Sequence, residues 1–205
     1  MTVIEANILY ALAWLSFGFG HSWLARAPVK ARLELQVSAY YRLLYNLSAA
    51  AHFLGIWLLG KAVFGASPTF LLFENVQMQL SGIAYFGLFI IIMAVQQYDR
   101  GRFAGTTQIY NHWKGIKEPE DEPFRATGFN AYVRHPIYTG AYLFLWGNAQ
   151  NELGLATAIW GSTYLMIVAM YEERHLLRLY GEDYREYREY RQMVPAVIPW
   201  RGKAV

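Results

Sequence analysis

Five long apolar runs constrain the fold of this 205-residue chain more than any other feature. They cover roughly residues 4–25, 43–66, 78–97, 136–150 and 153–170. A helix needs about 20 apolar residues to cross the hydrocarbon core of a bilayer. The first three runs reach this length, the fifth is adequate, and the fourth is short. The sequence therefore predicts an all-α integral membrane bundle of about five transmembrane helices.

The composition favours a membrane protein over a soluble helical one. Charged residues make up only 16% of the chain, whereas hydrophobic residues make up 55%. Soluble domains average about 25% charged residues, so five buried core helices, the alternative, would leave little polar surface. Aromatic residues reach 17%, as expected of side chains that line membrane interfaces. The chain has no cysteine, which excludes disulfides, zinc–thiolate sites and a cysteine nucleophile.

Basic residues fall in three segments, namely residues 26–42, residues 99–135 and the tail after residue 173, with Lys61 as the one exception. Basic loops remain in the cytoplasm. With five crossings, this places the N-terminus outside and the C-terminus in the cytoplasm, and we expect a bacterial inner membrane. The pI is about 9.0, but the positive charge is divided among loops rather than gathered on one soluble face, which argues against a nucleic-acid partner.

Polar residues interrupt the first two apolar runs near their predicted cytoplasmic ends. His21 lies in the first run, residues 41–46 open the second, and His52 lies further inside it. Polar groups at membrane depth are costly and usually face a cavity or a partner. These residues could line a substrate pocket, or they could form a helix–helix hydrogen bond such as His21 to Asn46.

Two polar clusters bracket the last two apolar runs. Residues 134–138, with sequence RHPIY, precede the fourth run, and residues 171–175, with sequence YEERH, follow the fifth. If these runs form a helical hairpin, both clusters lie at the same membrane face. Pro136 suits a first helical turn, where free N–H groups bind anions. The carboxylates could hold an ammonium group or ribose hydroxyls, so a nucleotide-type cofactor such as S-adenosylmethionine would fit, although the spacing alone leaves other ligands open.

Other chemistries have less support in the sequence. The five histidines include no i,i+4 pair and no HExxH motif, so no metal site is expected. The chain also lacks GxGxxG, P-loop and GxSxG motifs. Glycines make the stretch 98–135 irregular, and its acidic part, residues 117–123, could be a linker or a lid. Residues 180–190 predict an amphipathic helix on the membrane surface, with tyrosines on one side.

The second half of the chain resembles the integral membrane methyltransferases, of which isoprenylcysteine carboxyl methyltransferase is the best-known member. The residues that carry this resemblance are Arg134-His135-Pro136, Tyr138, Gly140, Glu172-Glu173, Leu177, Tyr180-Gly181, Tyr184, Tyr187 and Val194-Pro195. The first half is similar to the bacterial methanethiol S-methyltransferase branch. Its matching residues are Phe17 to Ser22, Ala25-Arg26, Lys30, Tyr41-Arg42, Phe103, Gly105, Gln108, Phe124-Arg125 and Gly128.

The resemblance implies a single methyltransferase domain, residues 1–205. Its residues 1–97 would serve the substrate, and residues 98–205 would form a cytoplasmic S-adenosylmethionine site. The implied cofactor contacts are Glu122, Pro123, Phe124, Arg125, Asn130, His135, Pro136, Ile137, Tyr138 and Glu172. The carboxyl-methylating branch has an arginine one turn before the acidic pair, and here that position is Val168. This difference favours a thiol or another small neutral nucleophile over a prenylcysteine carboxylate.

A thiol must lose its proton before it attacks a methyl group, since its unperturbed pKa is about 8.5. His21, Arg42 and His135 are the predicted catalytic residues, either as base or as nearby positive charge. Phospholipid amine and isoprenylcysteine carboxyl methylation are alternative activities. An NADPH-dependent membrane reductase and a non-catalytic membrane scaffold are alternatives of other classes.

Overall fold

The regular elements of the chain are helical, which confirms the all-α prediction. The computed structural model describes residues 2–66, 68–70, 73–117, 127–179, 194 and 196–198, and these ranges contain eight α-helices and no strand. Two short 3-10 turns, Ser38–Tyr40 and Gly128–Ala131, lie between them. The α-helices are α1 (Val3–Leu24), α2 (Ala27–Val37), α3 (Tyr41–Phe64), α4 (Glu74–Val95), α5 (Arg100–Ala104), α6 (Thr106–Lys114), α7 (Pro136–Gly147) and α8 (Glu152–Leu179).

Four helical stretches within the described residues are long and apolar enough to cross a membrane. They are α1, the stretch Ala27–Phe64 that contains α3, α4, and Glu152–Leu176 of α8. The fourth predicted run instead forms α7, which has 12 residues. Such a helix is about 18 Å long, shorter than the hydrocarbon core of about 30 Å. Four of the five predicted spans are therefore supported by length and composition.

The chain divides into two compact units, the first comprising Met1–Ser67 and Tyr98–Glu122. In this unit α1 packs on α3 through aromatic rings. Tyr10, Trp14 and Phe17 are buried on α1. Tyr10 meets Phe64 edge to face with ring centroids 5.5 Å apart, and Trp14 meets Phe53 at 5.9 Å. Edge-to-face aromatic pairs at these separations are favourable, so aromatic rings contribute much of this helix contact.

The polar stretch after residue 98 is helical in α5 and α6, which corrects the prediction that its glycines make it irregular. Gly105 and Gly115 have φ angles of 97° and 66° and stand at helix ends. A left-handed residue that ends a helix is usually glycine, so these glycines mark helix ends. A Cβ atom on Gly105 would lie 2.6 Å from the backbone nitrogen of Leu43. The side-chain amide of Asn46 donates to the carbonyls of Phe103 and Ala104, which fixes α5 on α3.

The second unit comprises Pro68–Gln97 and Pro123–Val205. In this unit α4 and α7 pack through glycines. A Cβ atom on Gly87 would lie 2.5 Å from the carbonyl oxygen of Gly140, and one on Gly147 would lie 2.5 Å from the nitrogen of Ala84. Small residues at such positions allow two helix backbones to touch. α7 and α8 form the predicted hairpin, in which the Tyr142 hydroxyl donates to the carbonyl of Ser162 over 3.1 Å.

The predicted amphipathic helix over residues 180–190 lies outside the described residues. Residues 118–123, which make up most of the predicted acidic linker or lid, also lie outside them.

Candidate cofactor-binding site

The two polar clusters singled out in the sequence contact each other at the open end of the α7–α8 hairpin. The Arg134 Nε atom donates to Oε1 of Glu173 over 2.7 Å, and the His135 Nε2 atom lies 2.8 Å from the same oxygen. These three side chains are only 5–11% exposed. A buried carboxylate is costly unless it is paired and hydrogen-bonded, so this cluster fixes the start of α7 against α8.

Glu172 projects beside this buried cluster and has a different environment. The Tyr138 hydroxyl donates to its Oε2 atom over 2.6 Å, and the His135 Nδ1 atom lies 3.6 Å from the same oxygen. The ring of Tyr138 stacks on the imidazole of His135, with centroids 5.2 Å apart and planes 15° apart. The Glu172 side chain is 42% exposed. It can therefore accept hydrogen bonds from a ligand while Tyr138 holds its orientation.

The backbone carbonyls of Val194, Ala196 and Val197 accept hydrogen bonds from residues at the start of α7. Arg134 Nη1 donates to the carbonyl of Val194, and the backbone N–H of His135 donates to the carbonyl of Ala196 over 3.0 Å. The Thr139 hydroxyl donates to the carbonyl of Val197 over 2.7 Å. Sequence reasoning missed this attachment and the part played by Thr139. Carbonyl acceptors leave no pattern in a sequence, and only the Val194-Pro195 motif drew attention to the segment.

The structure places the predicted cofactor residues as follows. Pro136 begins α7 as predicted, and Ile137 and Tyr138 occupy its first turn. Asn130 lies in the 3-10 turn Gly128–Ala131 of the same unit. Glu122, Pro123, Phe124 and Arg125 lie outside the described residues. Arg134 pairs with Glu173.

Two of the three predicted catalytic residues, His21 and Arg42, belong to the first unit, whereas His135 belongs to the second. The His21 ring nitrogens lie 2.9 and 2.8 Å from the hydroxyl of Tyr45. Arg42 Nε donates to the backbone carbonyl of Phe103 over 3.3 Å. The guanidinium carbon of Arg42 lies 6.0 Å from the centre of the Phe103 ring. Asn46 was the predicted partner in an alternative hydrogen bond with His21. Its side-chain amide instead donates to the carbonyls at the end of α5.

The fold and the cluster together define a class: a helical protein with spans of membrane length and a buried Arg–His–Glu cluster at one end of a helical hairpin. Comparison with known proteins narrows this class. The chain is 31% identical over 134 residues to a methanethiol S-methyltransferase of Crocosphaera subtropica, covering 64% of this chain and 51% of that protein. It is 33% identical over 102 residues to the methanethiol S-methyltransferase of Mycobacterium tuberculosis, covering 47% and 38%.

A carboxyl-methylating relative is also detected. The chain is 31% identical over 98 residues to a protein-S-isoprenylcysteine O-methyltransferase of Schizosaccharomyces pombe, covering 45% of this chain and 39% of that protein. These relatives confirm the resemblance to membrane methyltransferases of the isoprenylcysteine carboxyl methyltransferase type. The chain spans about half the length, or less, of the curated relatives it matches. No family model matches this chain, and no solved structure matches it.

Proposed function

We propose that this protein transfers a methyl group from S-adenosylmethionine to a small thiol. The observation that carries the proposal is the contact between the RHPIY and YEERH clusters, in which Glu172 stands half-exposed beside a buried Arg134–Glu173 pair. The relatives named as methanethiol S-methyltransferases support methyl transfer and the choice of a thiol. S-Adenosylmethionine, when bound, supplies a methyl group carried on a positively charged sulfur.

The donor set at the hairpin end fits this cofactor. The carboxylate of Glu172 can accept hydrogen bonds from an ammonium group or from ribose hydroxyls. The stacked rings of His135 and Tyr138 lie next to that carboxylate, and aromatic faces attract cations. NADPH suits the site less well, because its 2′-phosphate calls for clustered basic residues, whereas Arg134 is already paired with Glu173.

The buried contacts of His135 favour a positioning role for this residue over the role of base. Its Nε2 atom is held at the Glu173 carboxylate and its side chain is 5% exposed. The cluster would orient Tyr138, and Tyr138 would in turn hold Glu172 for the cofactor. Small displacements of a bound group can cost much of the rate, so we expect these positioning contacts to matter for turnover.

The transfer neutralises charge. The acceptor thiol gives up its S–H proton to the surrounding buffer, and its sulfur then forms the new bond to the methyl carbon. The electron pair of the broken carbon–sulfonium bond stays with the donor sulfur, which leaves as a neutral thioether. A surrounding with little water favours a step that removes charge, and the apolar helices of this protein would supply such a surrounding. The two clusters at the hairpin end lie among the basic residues of 99–135 and of the tail after residue 173, so the cofactor site would face the cytoplasm. The membrane would be a bacterial inner membrane.

The experiment is a labelled-methyl transfer assay on the full chain purified in detergent. Methanethiol, a phospholipid amine and a prenylcysteine are offered as acceptors in separate reactions. We expect label on the thiol, a large loss of activity in Glu172→Gln, and parental activity in Glu152→Gln, which removes an exposed carboxylate from the other end of the same helix. Label on the lipid amine or the prenylcysteine alone would contradict the proposed acceptor.

A prenylcysteine carboxylate is the second candidate acceptor, because one relative is named for that activity. The position that carries an arginine in that branch is Val168 here, on α8 one turn before Glu172. An apolar side chain provides no counter-charge for a carboxylate, which favours the thiol. The assay above separates the two acceptors directly.

A further inference from the structure

A small cavity lies between α1 and α3, within the first unit. Its volume is about 90 Å³. Pockets for drug-sized ligands have volumes of roughly 300–1,000 Å³, so this cavity suits a ligand of only a few non-hydrogen atoms. The residues that line it include Phe17, Gly20, His21, Tyr45, Ala49 and His52.

Polar groups line one part of this otherwise apolar cavity. His21 and Tyr45, which both line it, are hydrogen-bonded to each other, with ring centroids 4.7 Å apart. His52 Nε2 lies 3.0 Å from the hydroxyl of Ser16, and the His52 ring meets Phe17 edge to face at 5.4 Å. Ionisable groups within apolar, membrane-length helices are expensive and usually mark a site. A contact that only joined two helices would not need an open volume beside these groups.

We propose that this cavity binds the methyl acceptor as a small aliphatic thiol, with its S–H group directed at the His21–Tyr45 pair. This inference rests on the proposed function and names the place and the size class of its acceptor. Sulfur makes favourable contacts with aromatic rings, and three kinds of ring line the cavity. An S–H group is a weak donor that an imidazole nitrogen or a phenol oxygen accepts. An apolar wall formed by Gly20 and Ala49 suits a short alkyl group.

The same features disfavour the competing acceptors at this position. The residues that line the cavity, in the part of the chain that the structure describes, include no carboxylate, so a lipid amine would have no counter-charge. A prenyl group far exceeds a volume of about 90 Å³. The cavity therefore suits a small, uncharged acceptor.

Binding can be measured without the cofactor. The full chain in detergent micelles, labelled with ¹³C at the histidine Cε1 positions, is titrated with ethanethiol and followed by NMR. We expect saturable shifts of the His21 and His52 resonances, assigned through His→Gln variants. His112, exposed in α6, serves as the internal reference and should not move.

A matched pair of glycine variants tests the cavity itself. A Cβ atom on Gly20 or on Gly55 would meet nothing within 4 Å, so both positions accept a larger side chain without a clash. Gly20 borders the cavity and Gly55 does not. We expect Gly20→Leu to weaken ethanethiol binding and to raise KM for the thiol by about tenfold or more. A change of one methylene group in an apolar pocket already alters the preference between substrates by roughly that factor. Gly55→Leu should bind ethanethiol with an affinity, and methylate it with a KM, close to those of the parent.

The outcomes separate this inference from the proposed function. If the His21 and His52 resonances do not respond to the thiol, or if Gly20→Leu and Gly55→Leu give the same KM, the cavity is not the acceptor site, even when the parent methylates thiols. If the thiol shifts these resonances and Gly20→Leu abolishes the effect, the cavity is confirmed as a thiol site, even when the labelled-methyl assay fails.

Discussion

The two units of this protein hold their helices together with opposite kinds of side chain. In the second unit α4 and α7 meet at Gly87 and Gly140, where even one methyl group would lie 2.5–2.6 Å from a backbone oxygen. In the first unit α1 and α3 meet through rings such as Trp14 and Phe53, 5.9 Å apart. Backbone contact fixes the position of a helix closely, whereas ring edges leave gaps. The tight contact therefore supports the polar cluster at the start of α7, and the looser contact contains the cavity.

The polar contacts of the two units also differ, in their burial and in their charge. The Arg134–Glu173 pair is buried and charged, and removal of one partner would leave an uncompensated charge. The Tyr45–His21 contact in the first unit is part-buried. It costs less to break because it is not a buried ion pair, so the loss of one partner removes one hydrogen bond. A set of substitutions, taken from the largest expected effect to the smallest, tests this contrast.

The substitution Glu173→Gln should have the largest effect on stability. It removes the charge that compensates Arg134 at a site about 10% exposed. Breaking a buried pair costs on the order of 3–5 kcal/mol, and we expect the free energy of unfolding, measured by SDS titration in mixed micelles, to fall by that amount. Glu172→Gln, at a side chain 42% exposed, should lose about 1 kcal/mol or less. Equal losses at the two positions would contradict the assignment of Glu173 as the buried member.

Gly87→Ala should have the next largest effect. The added methyl group would meet backbone atoms of Gly140 and Phe144 at 2.5 Å, and such overpacking costs about 1–3 kcal/mol. Gly82→Ala, on the same helix, is the control, since its Cβ would meet nothing within 4 Å. The melting temperature of Gly87→Ala in detergent should fall well below that of Gly82→Ala. Equal melting temperatures would show that the α4–α7 contact is looser than described.

Tyr45→Phe should have the smallest effect. It removes one hydrogen bond to His21 and leaves the ring packing in place. A single neutral hydrogen bond contributes about 0.5–1.5 kcal/mol, and the SDS titration should show a loss in that range. A loss as large as that of Glu173→Gln would mean that the first unit depends on a polar core after all, and the contrast between the units would fail.

Hydropathy alone predicted the long helices well, because a helix of membrane length needs a continuous apolar run. The run at 78–97, for example, became Glu74–Val95. The prediction was wrong at α5 and α6, because glycines that end helices were interpreted as signs of an irregular stretch. Sequence patterns report periodic burial reliably, but a short polar helix has too few apolar positions to be recognised.

The contact between the RHPIY and YEERH clusters was predicted, because a helical hairpin would bring both to one face. Which of the two adjacent carboxylates holds His135 could not be predicted. Neighbouring helical residues point about 100° apart, so the answer depends on the rotation of α8 about its axis. That rotation is set by packing against α7, which is a tertiary property. The attachment of Val194, Ala196 and Val197 to the start of α7 was missed because it uses backbone carbonyls.

The central claim is that Glu172, oriented by Tyr138 and the buried cluster, binds the methyl donor. Titration calorimetry with S-adenosylmethionine on the full chain in detergent tests it most directly, with NADPH as the competing ligand. We predict that the parent and Glu152→Gln bind S-adenosylmethionine equally and bind NADPH weakly or not at all. Glu172→Gln should bind the methyl donor about 10- to 100-fold more weakly, as a hydrogen bond to a charged group contributes about 1.5–3 kcal/mol. Parental affinity in folded Glu172→Gln, or tighter binding of NADPH by the parent, would contradict the claim.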